Sequence, residues 1–426
     1  MNPTRRKRLN KKRQARKRRR RLLTLMMALI VISGGLLSYF YFQQHSSQLP
    51  VVKPEGNILK AGASEIINSS SQANQGLQKQ TTNQIEEAQR FKPRMNLDPK
   101  SIDPKFQSLS RQIDQQINDS GFIGSILVVK NNQLVLEKGY GYANKKENKL
   151  NTHTSEFMIA SLQKQFTALL IMKLVEQDLL TLDTPVAEFY PDLPNAKTLT
   201  IRDLLSMTSG YYSKGTDESV QDEQAALDYT LANLTYEAPT KWRYSSTNYV
   251  LLAGIIRRLS KQSYQDFFQQ EIIDKLGLTH TGFYTDYSQR PDQAVSYRAV
   301  DYSSPYKKAI TISHERYAIE LGTGNVYSSV ADLLTVYQGI IDKKIVPPEL
   351  LQDMWTQAPT LYNYSYTAGL YHKENFIRSH GLFNGYEPTV VFSYDGSTAV
   401  ITLANYYLPD SYNVALTDSI FQQLQE

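Results

Sequence analysis

The sequence predicts an α+β fold in which an antiparallel sheet is packed by the first and last helices, beside a mostly helical lobe. Two strand-like runs, 124–130 (GSILVVK) and 133–138 (QLVLEK), lie early in the chain and are joined by the turn pair Asn131-Asn132. Two more, 389–393 (TVVFS) and 398–403 (TAVITL), lie near its end. Strands at both ends of a mostly helical middle are typical of this class.

The helices follow from apolar patterns bounded by turn residues. An amphipathic helix is expected over residues 106–118, and a strongly apolar, glycine-free and buried helix over 161–177. Shorter helices are expected over 201–207 and 250–258, and the last helix over 412–425. Residues 101–426 are enough for one large domain or two interleaved lobes.

The N-terminus predicts a membrane anchor. Residues 1–21 contain thirteen Lys and Arg and no acid, whereas the remaining 405 residues carry 34 bases and 41 acids. Residues 22–42 are uncharged and, at about 1.5 Å per residue, long enough to cross the ~30 Å hydrocarbon core. The flanking cations orient such a helix with its N-terminus in the cytoplasm. A basic run can also bind nucleic acid, but beside a membrane span anionic lipid is the favoured partner, so we expect no nucleic acid.

Residues 43–100 predict a disordered extracellular tether between the span and the folded domain. This segment is rich in Gln, Asn and Ser, as in NSSSQANQGLQKQTTNQ, and too poor in large apolar residues to form a core. The chain has no cysteine, which favours an envelope where oxidative folding is little used, such as that of a Gram-positive bacterium. The expected location is the cell membrane, single-pass, with residues 101–426 outside.

Ser161 and Lys164 are the first candidate catalytic residues. Their spacing places both side chains on one face of the buried helix, near its N-terminus, where free N–H groups can lower a nucleophile's pKa and bind an oxyanion. A lysine amine close to a serine hydroxyl can accept its proton. The alternative role of Ser161 is a helix N-cap. Spacing alone does not decide, because Ser304 and Lys307 share it in a polar loop.

The segment 157–170, FMIASLQKQFTALL, resembles the nucleophile segment of the serine β-lactamase and penicillin-binding protein superfamily. More narrowly, it is similar to the class C β-lactamase-related group, which includes peptidases and esterases. The resemblance continues in order through seven further segments: 139–157, 182–190, 201–211, 239–256, 274–283, 322–334 and 380–386. It implies a serine β-lactamase-like domain over residues 101–426.

The resemblance implies that Tyr244 is the tyrosine that assists attack by Ser161 and protonates the leaving group. Tyr142-Ala143-Asn144 spells the family's Tyr-x-Asn motif better than Tyr244-Ser245-Ser246 does. It precedes the nucleophile, however, where the family has no catalytic residue. Ser246 stands where the family often has asparagine, and is expected to bind substrate.

The third motif of the family matches His380-Gly381-Leu382, in which the last residue is not the usual glycine. In this register the N–H of Phe383 joins that of Ser161 in the oxyanion hole. His380 takes the place of a lysine that binds a substrate carboxylate, and is mostly neutral near pH 7. Arg378 lies two residues earlier on the same face of the strand and is the alternative carboxylate ligand.

A weak carboxylate site favours an acyl ester whose leaving group carries no carboxylate. D-alanyl esters of teichoic acids are such substrates, and the resemblance implies an esterase acting on them. The alternatives are a D,D-carboxypeptidase or penicillin-binding protein, a β-lactamase, or a non-catalytic ectodomain that senses the wall. The expected partner is therefore a cell-envelope polymer, either teichoic acid or a peptidoglycan stem peptide. No cofactor and no metal are expected, since the six His are scattered without an HExxH pattern.

Overall fold

The computed structural model describes residues 101–215, 219–298, 305–341, 345–407 and 412–425. The predicted basic tail 1–21, membrane span 22–42 and tether 43–100 lie outside these ranges. Within the described residues, no helix has the length and apolar character needed to cross a membrane.

One antiparallel sheet of seven strands organises the domain, in the order β10-β11-β12-β13-β14-β1-β2. Smaller sheets join β3 to β4, β6 to β7, and β5 to β9 and β8. The strands are β1 (Gly124–Lys130), β2 (Gln133–Tyr140), β3 (Tyr142–Asn144), β4 (Lys149–Leu150), β5 (Phe157–Met158), β6 (Tyr211–Ser213), β7 (Leu234–Tyr236), β8 (Gly282–Phe283), β9 (Val326–Ser328), β10 (Tyr366–Thr367), β11 (Leu370–His372), β12 (Ile377–His380), β13 (Glu387–Phe392) and β14 (Ala399–Ala404).

The helices lie mainly between β5 and β10. Those of the described ranges are α1 (Gln107–Ser120), α2 (Gln163–Glu176), α3 (Ile201–Ser206), α4 (Glu223–Ala232), α5 (Thr247–Ser260), α6 (Tyr264–Phe268), α7 (Tyr284–Tyr287), α8 (His314–Ala318), α9 (Val330–Ile341), α10 (Pro348–Trp355) and α11 (Tyr412–Gln425). A π-helical segment, Gln269–Asp274, continues α6. The predicted α+β class is confirmed, and each predicted helix and strand is present within a few residues of its expected bounds.

The first and last helices pack on one face of the sheet. Ile113 and Ile117 of α1 and Ile420 and Phe421 of α11 share a buried cluster with alternate residues of the central strands, such as Val128 of β1. The opposite face packs against α9 and belongs to the larger core around α2. Side chains that alternate along one strand therefore face either the terminal helices or the helical lobe.

Helix α2 is the centre of that larger core, because nearly every residue from Gln163 to Leu174 is buried. It packs against α5 and α10. A 3-10 turn, Ala160–Leu162, precedes it and contacts both β12 and β13. The N-terminus of α2 therefore meets the sheet at β12 and β13.

Candidate active site

Ser161 lies in the tight turn between β5 and α2. The turn is held on its N-terminal side, where β5 pairs with β9 and the Ile159 N–H donates to the Val326 carbonyl at 2.9 Å. Ala160 has φ +46°, a left-handed conformation that non-glycine residues adopt at a cost on the order of 1–3 kcal/mol. This strained backbone leaves Ser161 partly exposed in the turn before α2, whereas the residues that follow it in the helix are buried. Leu162 occupies the N-cap position of α2 and makes no side-chain capping bond.

The Ser161 hydroxyl accepts two hydrogen bonds from side chains. The Lys164 Nζ lies 3.0 Å from the Ser161 Oγ, and the Tyr244 hydroxyl lies 2.9 Å from the same oxygen. Lys164 is 1 % exposed and also donates to the carbonyl of Thr323 at 3.1 Å. The three residues proposed from the sequence as catalytic therefore form one cluster.

Tyr244 reaches Ser161 from the loop that precedes α5. Its ring packs edge-on against Trp242 and Tyr366, with ring centroids 6.2 Å and 5.8 Å away. The Trp242 Nε1–H donates to the Ser206 carbonyl at 3.0 Å, which anchors the loop. The competing residue, Tyr142, lies in β3 and packs against Tyr306.

The neighbours of Tyr244 include other tyrosines whose environment keeps them protonated. Burial raises the pKa of Tyr366 well above its usual range and that of Tyr371 to about 12. Burial also raises the pKa of Tyr249, whose hydroxyl donates to the Leu205 carbonyl at 2.8 Å. These rings therefore form a neutral aromatic wall behind the phenol that contacts Ser161.

Ser246 lies at the N-terminus of α5, two residues after Tyr244. It is half-buried, and its backbone carbonyl accepts from the N–H of Tyr249 and of Val250. Its side chain makes no hydrogen bond to any residue that the structure describes. The amide that organises this segment is instead Asn248, which accepts from the Ser209 Oγ at 2.6 Å and donates to the Ser245 carbonyl.

Gly381 is the residue of the third motif that touches the nucleophile. A Cβ at position 381 would lie 2.8 Å from the Ser161 nitrogen and 2.9 Å from the Ala160 Cβ. Only glycine allows the strand and the turn to approach this closely. The glycine of the motif is thus Gly381, and the residue that follows it is Leu382.

The backbone hydrogen bonds after Gly381 do not leave the Phe383 N–H free to act as the predicted oxyanion donor. The Gly381 N–H donates to the Pro388 carbonyl and the Phe383 N–H to the Tyr386 carbonyl, each at 3.0 Å and each towards β13. N–H groups alternate in direction along an extended chain, so the Leu382 N–H points away from β13. It has no hydrogen-bond partner within the described ranges. The available oxyanion donor beside Ser161 is therefore Leu382, while the Phe383 ring packs against Tyr317.

Arg378 and His380 are engaged away from the Ser161 hydroxyl. Arg378 donates from Nη1 to the Asp418 Oδ2 of α11 at 2.5 Å, and the His380 Nε2 lies 3.3 Å from the buried Glu387. Both side chains alternate with the buried Ile377 and Ser379 on β12 and face the terminal helices. The structure thus does not bring the two predicted carboxylate ligands together with Ser161.

Gly381→Ala is expected to lower kcat about 100-fold, because the added methyl group would push β12 away from the Ser161 nitrogen. Steady-state kinetics with a chromogenic ester measures this loss. Gly121→Ala is the control, since Gly121 also has a backbone that disfavours alanine (φ +73°) but open space around its Cβ position. That variant should lose stability and keep its kcat. Unchanged kinetics for Gly381→Ala would contradict the close packing described here.

A cluster of possible metal ligands lies outside this site. Atoms of Glu156, His280 and Asp292 lie within 4.8 Å of one another. The Glu156 carboxylate, however, binds the Arg290 guanidinium at 2.7–3.2 Å, and Asp292 pairs with Lys149 at 2.8 Å. Two cations thus offset the two acids, and the cluster is satisfied as an ion-pair network.

Sequence reasoning did not single out Thr323 or Trp242. Thr323, whose carbonyl holds Lys164, lies in the segment 322–334 that resembles the family, but a backbone acceptor leaves no residue-type signal. Trp242 lies in the segment 239–256, one of two tryptophans in the chain. Its aromatic side chain, two positions before Tyr244, is the sequence feature that could have identified Trp242 as a packing partner of Tyr244.

An α+β fold of this kind, with a serine at the start of a central buried helix, is that of hydrolases that form an acyl-serine intermediate. The sequence model of the Beta-lactamase family matches residues 109–425. The chain belongs to the β-lactamase family, and it is a serine hydrolase of the acyl-enzyme type. The family resemblance read from the sequence is confirmed.

Individual relatives agree with this assignment. PbpX of Bacillus subtilis (strain 168) is 30% identical over 298 residues, which cover 70% of this chain and 74% of that protein. The teichoic acid D-alanine hydrolase of Staphylococcus aureus (strain MRSA252) is 28% identical over 295 residues, covering 69% and 72%.

Solved structures show the same fold. FmtA from Staphylococcus aureus matches with a TM-score of 0.66 at 24% identity, over 79% of this chain and 91% of that one. A class C β-lactamase from Rhodobacter sphaeroides matches with a TM-score of 0.60 at 19% identity, over 75% and 100%.

Proposed function

We propose that this protein hydrolyses D-alanyl esters of teichoic acids through a D-alanyl-Ser161 intermediate. The observation that carries the proposal is the pairing of Arg378 with Asp418 and of His380 with Glu387. A D,D-peptidase needs a cation for the terminal carboxylate of its leaving group. Here both candidates on β12 face the terminal helices and are offset by acids, so β12 supplies no free cation, which favours a leaving group without a carboxylate.

In this mechanism the Ser161 Oγ attacks the ester carbonyl and loses its proton to Lys164 or Tyr244. Both groups donate to that oxygen in the resting structure, so one of them must exchange its role and accept. The N–H groups of Ser161 and Leu382 would stabilise the oxyanion.

Collapse of the oxyanion breaks the bond to the polyol oxygen, and Tyr244 protonates that oxygen as it leaves. Water then attacks the D-alanyl-Ser161 ester, which releases D-alanine and restores the serine hydroxyl. The two steps together consume one water and yield one alcohol and one D-alanine.

A cavity that shares Leu382 with the proposed oxyanion site supports a phosphate polymer as substrate. A cavity of about 740 Å³ is lined by Leu382, Asn384, Arg298 and Lys308, and none of its described lining residues is acidic. Neither cation forms an ion pair with a described residue. These two side chains offer positive charge to a polyanion on a domain whose net charge is otherwise negative. The similarity to a teichoic acid D-alanine hydrolase supports the same substrate class.

The proposal for the location of the enzyme rests on the sequence alone. We propose that residues 22–42 span the cell membrane with residues 1–21 in the cytoplasm against anionic lipid. Residues 43–100 would then hold the catalytic domain within reach of the wall polymers.

The test is release of D-alanine by the purified full-length protein from two substrates, D-alanylated lipoteichoic acid and a pentapeptide ending in D-Ala-D-Ala, with Ser161→Ala as the background. We expect release from the teichoic acid and none above background from the peptide. Release from the peptide alone would make the protein a D,D-carboxypeptidase. Release from neither would favour the wall-sensing ectodomain.

A further inference from the structure

An ion pair beside Ser161 is not used by the mechanism above. The Arg316 Nη1 in α8 lies 2.7 Å from the Oε1 of Glu320, which lies in the turn two residues after the helix. Both side chains are partly buried, with 30 % and 21 % of their surface exposed. Partial burial strengthens the interaction of such a carboxylate with any cation that enters the cleft.

The Glu320 carboxylate lies close to the backbone that presents Ser161. Its second oxygen, Oε2, accepts from the Thr323 Oγ1 at 2.8 Å, and the carbonyl of the same Thr323 accepts from Lys164. A Cβ at Gly324 would lie 3.3 Å from the Glu320 Oε2 and 3.6 Å from the Ala160 backbone. The Glu320 carboxylate and the Ala160 backbone therefore both border the position of the methyl group that Gly324 lacks.

Glu320 and Tyr244 pack among different neighbours. The Arg316 guanidinium lies 4.6 Å from the centroid of the Phe383 ring, next to Leu382, and Phe383 packs on Tyr317. Tyr244 packs instead on Trp242 and Tyr366. Tyr244 protonates the leaving oxygen in the proposed function, on which this inference rests, and the inference therefore assigns Glu320 to the acyl group.

The acyl group of a D-alanyl ester carries a free ammonium on the carbon next to the carbonyl. In a peptide, the corresponding nitrogen is an uncharged amide. A carboxylate accepts about four hydrogen bonds, and Glu320 uses one on each oxygen among the described contacts, so acceptor sites remain. We propose that Glu320 binds the α-ammonium of the D-alanyl group and thereby selects free aminoacyl esters over N-acylated substrates, while Arg316 and Thr323 orient its carboxylate.

The experiment compares two chromogenic esters, those of D-alanine and of N-acetyl-D-alanine, with the full-length protein and its Glu320→Gln variant. The wild type should prefer the free amine. Glu320→Gln should lower kcat/KM for the D-alanine ester about 10- to 100-fold, the range for one hydrogen bond to a charged group. The N-acetyl ester should change less than about threefold. Glu315→Gln, the same change at a half-buried α8 carboxylate that accepts from Gln221 instead of Thr323, should alter neither rate.

Equal effects on the two esters, or none, would overturn the assignment of Glu320. A variant that loses thermal stability is replaced by Glu320→Asp, which keeps the charge and should keep part of the preference. The preference of the wild type can be measured without any variant. A wild type with equal kcat/KM for the D-alanine and N-acetyl-D-alanine esters would also overturn the inference. If the wild type releases D-alanine from lipoteichoic acid while Glu320→Gln shows no selective loss, the inference fails and the proposed function stands. If it hydrolyses neither the esters nor the polymer, both fail.

Discussion

Replacing Ser161 by alanine is expected to lower kcat for ester hydrolysis by about 10⁴-fold or more, because the variant cannot form the acyl intermediate. The side chain is the only described hydroxyl that receives bonds from both Lys164 and Tyr244. Intact-protein mass spectrometry after incubation with a fluorophosphonate should show one covalent adduct on the wild type and none on the variant. The residual rate of the variant would measure what oxyanion binding and positioning supply alone.

The control for this prediction is Ser304→Ala. Ser304 precedes Lys307 at the same spacing as Ser161 and Lys164, so it tests whether the spacing itself confers reactivity. We expect labelling and kcat of Ser304→Ala to equal those of the wild type. An adduct that persists in Ser161→Ala and disappears in Ser304→Ala would place the nucleophile elsewhere.

Lys164→Met should have the second largest effect, a loss of about 10² to 10⁴ in kcat, the usual contribution of a general acid–base group. The methionine side chain matches the length of the lysine stem, so the buried position stays filled while the amine that contacts the Ser161 Oγ and the Thr323 carbonyl is lost. Single-turnover kinetics with a chromogenic ester separates the acylation step, which should account for the loss, from deacylation.

Lys173→Met is a matched control on the same helix. Lys173 is also buried, but its ammonium donates to Glu176 and to the Ile345 carbonyl, far from the nucleophile along α2. Its removal leaves the Ile345 carbonyl without its donor and takes one of two cations from the buried Glu271, 4.0 Å away, so the melting temperature should fall while kcat is retained. If Lys164→Met behaved in the same way, with lower stability and normal acylation, Lys164 would be structural.

The catalytic cluster was predictable where it depends on local geometry. The contact between Ser161 and Lys164 follows from the three-residue helical spacing. Tyr244 was reached only through the family resemblance, because 83 residues separate it from Ser161 and no local rule joins them. The left-handed backbone at Ala160, which turns Ser161 towards the cleft, has no signature in a residue type that is usually helical.

The oxyanion donor shows why a strand register cannot be taken from a motif alone. Counting from His380 as the first residue of the motif places Phe383 in the hole. Pairing with β13 instead directs the Phe383 N–H towards Tyr386 and leaves Leu382 facing the other edge. A shift of one residue reverses every N–H direction, and only the hydrogen bonds to the neighbouring strand set that register.

The sequence by itself determined the fold class, the helices and strands, and the family, because apolar periodicity and ordered motifs are properties of the chain. Tertiary structure alone decided which charges the cleft presents. Arg378 and His380 lie on the strand face that packs against the terminal helices. Arg378 pairs there with Asp418, and His380 with Glu387. Glu320 approaches the backbone of Ala160 across Gly324, although 159 residues separate it from Ser161 in the chain. Charged groups act through space, so packing of distant segments decides which of them meet the substrate.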